Sequence, residues 1–179
     1  KQGVISTLIT LPRATPNWAK NPETLWNEAE QAEKRKNSTV AREIEISLPF
    51  ELNESEQQNL AAKFANEITE RHLIAVHTAI HKPHKSNDQR NIHAHLLLTT
   101  RRISENGFYE KSREFDGAKA GSETVQYWRK RWEVIANEAL EAKNLLTKIN
   151  HRSYKKRKLN IEPTQHKGPF ITRMERRGY

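Results

Sequence analysis

The chain has 179 residues, with 31 Lys or Arg, 22 Asp or Glu and no Cys, and a formal net charge of +9. That length suits one domain with a sizeable core, and the missing cysteines exclude a disulfide framework or a thiolate metal site. No apolar run approaches membrane-spanning length and no signal peptide is visible, so a cytosolic location is expected.

The charge is uneven. From Asn144 onwards ten Lys or Arg stand against Glu162 and Glu175. A basic tail over about 144–179 of a single domain spanning 1–179 points to a polyanionic partner, nucleic acid first among them.

In chain order, Val4 to Leu11 (VISTLITL) is β-rich and stops at Pro12, which predicts a strand at an edge. Residues 12–22 hold three prolines and form a loop. Glu23 to Lys36 carries Leu25, Trp26, Ala29 and Ala32 or Glu33 at helical spacing. Its acidic start and its basic end at Lys34, Arg35 and Lys36 suit the helix dipole. Thr39 to Leu48 alternates, with Ile44, Ile46 and Leu48 on one face and Glu43, Glu45 and Ser47 on the other. A Ser55–Gln58 capping box predicts the start of a second helix, with Leu60, Ala61, Phe64 and Ile68 as its buried stripe.

The two segments that follow carry the chemistry. Leu73 to His81 (LIAVHTAIH) and His93 to Arg101 (HAHLLLTTR) read as strands joined by a loop over residues 82–92. Alternation puts His93 and His95 on one face and Ala94, Leu96 and Leu98 on the other. His77 and His81 oppose Ile74, Val76 and Ile80 in the same way. Antiparallel pairing would bring His81 beside His93, so three imidazoles would meet at one end of a sheet. That donor set suits a divalent metal, with zinc, manganese, copper and nickel all open.

Residues 102–121 are polar and read as a long mobile loop. Arg101, Arg102, Lys111, Arg113 and Lys119 could line a nucleic-acid channel there. Glu123 to Lys143 predicts the longest helix, with Val125, Trp128, Trp132, Ile135, Ala136, Ala139 and Leu140 as an apolar stripe. The tryptophans are assigned to the core. In the tail, Arg152, Lys155, Lys156, Arg157 and Lys158 are candidate phosphate contacts, and Tyr154 contacts phosphate or packs locally. His77, His84, His151 and His166 are assigned structural or DNA-facing roles. The element order predicts an α+β fold of two layers (α/β two-layer), a central, mostly antiparallel β-sheet with helices packed on one face. The polar strand faces, with Glu43, Glu45, His81, His93 and His95, would collect on the open side.

The segment IAVHTAIHKPHKSNDQRNIHAHLLLTTR resembles the histidine-rich metal motif of HUH endonucleases. LPRATPNWAKNPETLWNEAEQAEKRKNSTVAREIEISLPFEL, WRKRWEVIANEALEAKN and INHRSY with PTQHKGP resemble, in the same order, segments of MobA/MobL (MobQ-type) plasmid mobilisation relaxases. The similarity covers nearly the whole chain.

The resemblance implies an HUH relaxase-like fold and a DNA strand transferase. Such an enzyme nicks one strand of plasmid DNA at the origin of transfer through a tyrosine and a 5′-phosphotyrosyl intermediate, and later rejoins it. It implies His81, His93 and His95 as ligands of Mn²⁺ or Mg²⁺, with Mn²⁺ better suited to imidazole. Glu43 and Glu45 match acidic positions that act as general base or orient the tyrosine. Implied partners are plasmid DNA, single-stranded at the nick with duplex nearby, relaxosome accessory proteins and the transfer coupling machinery.

Two departures stand out. The family usually has Asn-Pro-His before the second ligand, where this chain has Asn91-Ile92-His93. The family's nucleophilic tyrosine lies upstream of the opening KQGV stretch, and no tyrosine precedes Tyr109, so the nucleophile is expected outside this chain. Tyr127 and Lys130 form a Tyr-x-x-Lys pattern like that of rolling-circle replication initiators, which makes Tyr127 an alternative nucleophile. A non-catalytic DNA-binding module is the third reading.

Overall fold

A computed structural model gives the fold and describes residues 3–83, 88–162 and 174. His84, His166 and the QHKGPF stretch lie outside the described residues. The chain divides into two compact units, Lys1–Ile149 and Asn150–Tyr179.

The first unit is built on five strands: β1 (Val4–Thr10), β2 (Ala41–Ser47), β3 (Ile74–His81), β4 (His93–Ser104) and β5 (Gly107–Lys111). Their order is β1-β3-β4-β2, with β5 added to the far end of β4. Every pairing is antiparallel. The twelve-residue β4 is the spine, since it pairs with β2, β3 and β5. Its alternation sends Ala94, Leu96 and Leu98 into the core and leaves His93, His95 and Leu97 on the other face.

Two helices cover the apolar face, α2 (Glu54–His72) and α3 (Ala118–Glu141). Leu60, Phe64 and Ile68 of α2 and Trp128, Ile135 and Leu140 of α3 share one core with Ile46, Val76, Ile80 and Leu96. Phe64 sits at its centre, edge-on to Trp128 at 5.5 Å and to Trp132 at 5.2 Å. The tryptophans belong to the core, as their helical spacing predicts. Val125 does not, being 49% exposed. The helix begins at Ala118, five residues before its predicted start, and Val125 lies on the turns ahead of the packed stretch.

A third helix, α1 (Pro22–Gln31), takes a different side. Its Leu25 is buried in a small cluster with Ala19, Ala75 and Ile103. The neighbouring Trp26 indole N–H donates to His77 Nδ1 at 3.2 Å, which puts α1 on the histidine face. Helices therefore flank the sheet on both sides, the two longer ones on the predicted layer.

Local chemistry moves several predicted boundaries. α1 stops at Gln31, so Lys34, Arg35 and Lys36 lie past its last turn and do not serve its dipole. The chain leaves the helix so that Glu33, its side chain 5% exposed, can meet Arg101 at 3.0 Å and Lys111 at 2.9 Å. α2 opens on Asn53 rather than Ser55. Asn53 Oδ1 accepts from the Glu56 N–H, and the Glu56 carboxylate accepts from the Asn53 N–H, which completes a capping box two residues early. Asn caps at least as well as Ser, and the shift frees Gln57 to turn inward and donate to the Pro49 carbonyl. Residues 102–111 are a β-hairpin rather than a mobile loop. Gly107, at φ +93, adopts a backbone conformation that side-chain-bearing residues resist. Arg42 then holds the following segment through the Ser112 carbonyl and Asp116.

Two consequences can be measured. Phe64→Ala should cost about 3–5 kcal/mol by urea denaturation, since it empties the junction of α2 and α3. His72 is buried, its Nε2 accepting from the Trp128 indole N–H at 3.0 Å. Burial, more than its charged neighbours, lowers its pKa from an ordinary 6.5 to about 4. Between those values the unfolded chain binds a proton that the folded chain refuses, so stability falls as pH drops through that window. Roughly 2–3 kcal/mol of that fall should disappear in His72→Gln, followed by denaturation at several pH values.

Candidate metal centre

The strand register assembles the site. His81 of β3 lies opposite His93 of β4, and Ala79 lies opposite His95. On the other side of β4, Glu45 pairs with His95 and Ser47 with His93. Paired residues on an antiparallel sheet share a face, so the histidines and glutamates collect on one surface.

The three imidazole rings lie close to one another. Ring centroids lie 5.6 Å apart for His81 and His93, 5.0 Å for His81 and His95, and 5.2 Å for His93 and His95. His93 Nδ1 is 3.0 Å from the Asn91 carbonyl oxygen, and His95 Nδ1 is 2.6 Å from Glu43 Oε1. Both partners are acceptors, so each Nδ1 carries the proton and donates it. The Nε2 lone pairs are then the ligating ones. Metal-binding histidines are held in this manner, with the far nitrogen donating to a carboxylate or a carbonyl. Burial first, and then His95 and His93 beside it, lower the His81 pKa and favour its neutral form.

A carboxylate converges with two of the three imidazoles. Ligand atoms of Glu45, His93 and His95 all lie within 4.8 Å of one another. Sequence reasoning gives Glu43 and Glu45 one shared role, as base or tyrosine positioner, and the structure separates them. Glu43 is engaged with His95, while Glu45 stands among the ligand atoms. The signal was present in the β2–β4 register, which sets Glu45 directly across from His95, but register between distant strands cannot be read from the sequence. The donor set of imidazole and carboxylate fits a divalent ion with positions left open.

A cavity of about 530 Å³ opens beside the cluster, with His81, His95 and Glu43 on its wall, Ala79 and Leu97 from β3 and β4, and Val4 and Thr7 from β1. His77, a structural or DNA-facing candidate by sequence, lines the same cavity and accepts from Trp26. Val4 pairs with His81, so the chain enters the sheet beside the cluster.

The other candidates fall elsewhere. Arg101 and Lys111 converge on Glu33. Arg102 pairs with Glu110 and Glu114, and Arg113 with Asp116. These four brace the hairpin and the segment after it, and Arg113 is the most open of them, its side chain 74% exposed. Arg152, Lys155, Lys156, Arg157 and Lys158 are exposed in the second unit, where Arg157 lies over the Tyr154 ring at 6.0 Å. Tyr127 is on α3, under the Arg71 guanidinium at 4.2 Å. Arg71 ends α2, next to the start of β3, whereas His81 ends β3. Tyr127 thus belongs to the helix layer and to the opposite end of the strand from the imidazoles.

The fold and the cluster together define an α+β domain with imidazoles and carboxylates gathered on one face of an antiparallel sheet, a candidate metal centre. Residues 1–177 match the MobA/MobL family, and the chain belongs to that family. It is 32% identical to the mobilization protein MobL of Acidithiobacillus ferridurans, over 99% of this chain and 53% of that protein. It is 29% identical to the conjugal transfer protein TraA of Rhizobium radiobacter, over 99% of this chain and 18% of that protein. The chain thus spans about half the MobL relative's length, or 53%, and less of TraA. Among solved structures it is similar to a chain from work on the molecular basis of vancomycin resistance transfer in Staphylococcus aureus, with a TM-score of 0.72 and 34% identity, covering 86% of this chain and 78% of that one.

Calorimetric titration with Mn²⁺ should show binding that the His93→Ala, His95→Ala double variant loses. Glu43→Gln should lower affinity about 10–100-fold, because an amide holds the His95 Nδ1–H less firmly than a carboxylate. Equal binding by all three proteins would refute the centre.

Proposed function

We propose that this chain is the strand-transfer domain of a plasmid mobilisation relaxase. It would nick plasmid DNA at the origin of transfer, pass the strand on, and rejoin it. The observation that carries this reading is the imidazole cluster, with its Nδ1 protons given to Asn91 and Glu43, beside a cavity on an open sheet face. Family membership supports it, as do relatives whose names denote mobilisation and conjugal transfer.

In this mechanism a tyrosine hydroxyl attacks the scissile phosphorus. An oxygen–phosphorus bond forms, the bond from phosphorus to the 3′ oxygen breaks, and a 5′-phosphotyrosyl link and a free 3′-OH result. The tyrosine proton leaves to a base and the departing 3′ oxygen takes one up. His81, His93, His95 and Glu45 would hold the divalent ion, Mn²⁺ in preference to Mg²⁺. Such an ion, when bound, would polarise a non-bridging phosphate oxygen and offset charge on the phosphorane. Glu43 positions the His95 ring. The nucleophile is proposed to come from residues that precede Lys1, and the pairing of Val4 with His81 supports this by bringing the chain in beside the cluster.

Tyr127 loses support as the nucleophile, because it packs with Arg71 in the helix layer. The basic residues of the second unit would hold DNA by phosphate contacts and make binding salt-sensitive. The DNA partner would be met in the bacterial cytoplasm, along with relaxosome accessory proteins and the coupling machinery. No helix among the described residues is long and apolar enough to cross a membrane.

The test is a nicking assay on an origin oligonucleotide, using a protein that includes the residues upstream of Lys1. The His93→Ala, His95→Ala variant should lose about 10²-fold or more in rate of covalent product formation, and Tyr127→Phe should change nothing. Undiminished product from the double histidine variant would overturn the reading.

A further inference from the structure

Phe50 is an aromatic residue without an evident packing task. Its neighbours on alternate positions, Leu48 and Leu52, are 2% and 4% exposed and belong to the main core, while Phe50 is 51% exposed. It is more open than Tyr127 at 43% or Tyr109 at 39%. A lone exposed aromatic is unremarkable by itself, so its surroundings decide.

Phe50 follows the end of β2 that lies beside the histidines. Ser47 ends β2 opposite His93, and the next residue, Leu48, donates its N–H to the Ile92 carbonyl at 2.8 Å. A turn closed by the Leu52 N–H on the Pro49 carbonyl then presents Phe50. Three residues of chain reach at most about 11 Å, so Phe50 stays close to the end of the sheet where His81 and His93 face each other. From the turn that leads into β4, Arg90, three residues before His93, places its guanidinium over the Phe50 ring at 6.0 Å. Arg90 is itself held by Asp88, Nε to Oδ1 at 3.0 Å and Nη2 to Oδ2 at 2.7 Å.

We propose that Phe50, steadied by Arg90, is a stacking platform for one base of the single strand that crosses the histidine cluster. The inference rests on the relaxase reading and names a residue that positions its substrate. A flat ring near the histidine end of the sheet, half open to solvent, offers the π-face that any base can use, and such contacts tolerate sequence. Asp88 neutralises much of the Arg90 charge, so the platform contributes through ring contact rather than through phosphate attraction. That separates it from the basic residues of the second unit, whose contribution is electrostatic. It also gives the platform a distinct signature, an affinity loss that leaves the salt dependence unchanged.

The experiment measures fluorescence anisotropy of the full chain with a labelled, mixed-sequence single-stranded DNA oligonucleotide and with copies carrying one abasic position, moved along the strand. Phe50→Ala should weaken binding to the intact strand about tenfold, with an unchanged slope against salt, and Phe50→Trp should restore it. The wild-type chain should lose affinity when the abasic position reaches the platform, and Phe50→Ala should be indifferent to that position. A circular dichroism melt matching the wild type would show that the variant folds, as the exposure of Phe50 leads one to expect. Binding by Phe50→Ala within twofold of wild type, or abasic losses identical in both proteins, would overturn the platform and leave the relaxase reading intact. Failure of the wild-type chain to bind single-stranded DNA at all would overturn both.

Discussion

The structure depends on the pairing of β3 with β4 in the register that sets His81 against His93. The side-chain period of a strand is two, so a slip of β4 by one residue would turn His93 and His95 into the helix-packed core and Leu96 and Leu98 out of it. Burying two imidazoles without partners is strongly unfavourable, and exposing Leu96 and Leu98 forfeits the apolar burial that binds the sheet to α2 and α3. The same apolar contacts that fold the domain therefore hold the polar site in alignment.

Around that register the polar groups sort into two kinds of work. Some position the cluster: Glu43 and the Asn91 carbonyl each accept a hydrogen bond from an Nδ1–H and so fix both the tautomer and the ring plane. Others brace the periphery. Glu33 gathers Arg101 and Lys111, while Arg102 and Arg42 are spent on Glu110, Glu114 and Asp116. The basic residues of the hairpin are thus largely committed within the domain. Exposed cations concentrate instead in the second unit, where Arg152, Lys155, Lys156, Arg157 and Lys158 all face solvent.

Period-two alternation made the two histidine strands legible, since Ala94, Leu96 and Leu98 could only face the core if His93 and His95 did not. The α2 and α3 stripes were legible from their helical spacing, and Trp128 and Trp132 fell where that spacing put them. What could not be read depended on partners far away in the chain. The end of α1 is decided by Glu33 meeting cations some seventy residues later. The stretch after β4 looked like loop because it is polar, yet it is a hairpin whose charges find partners across it. Glu45 joins His93 and His95 in the candidate centre only through β2–β4 register. The capping box shifts for a local reason: Asn53 with Glu56 and Ser55 with Gln58 offer the same pattern two residues apart, and the helix opens on the first.

The attachment of α1 has a consequence for the cavity beside the imidazoles. This helix forms no part of the main core. It rests on the small cluster around Leu25 and is fastened at two polar points, Trp26 to His77 and Glu33 to Arg101 and Lys111. His77 is the link, since it lines the cavity and accepts from Trp26, so a change at Trp26 reaches the cavity wall through one imidazole without touching the α2–α3 layer.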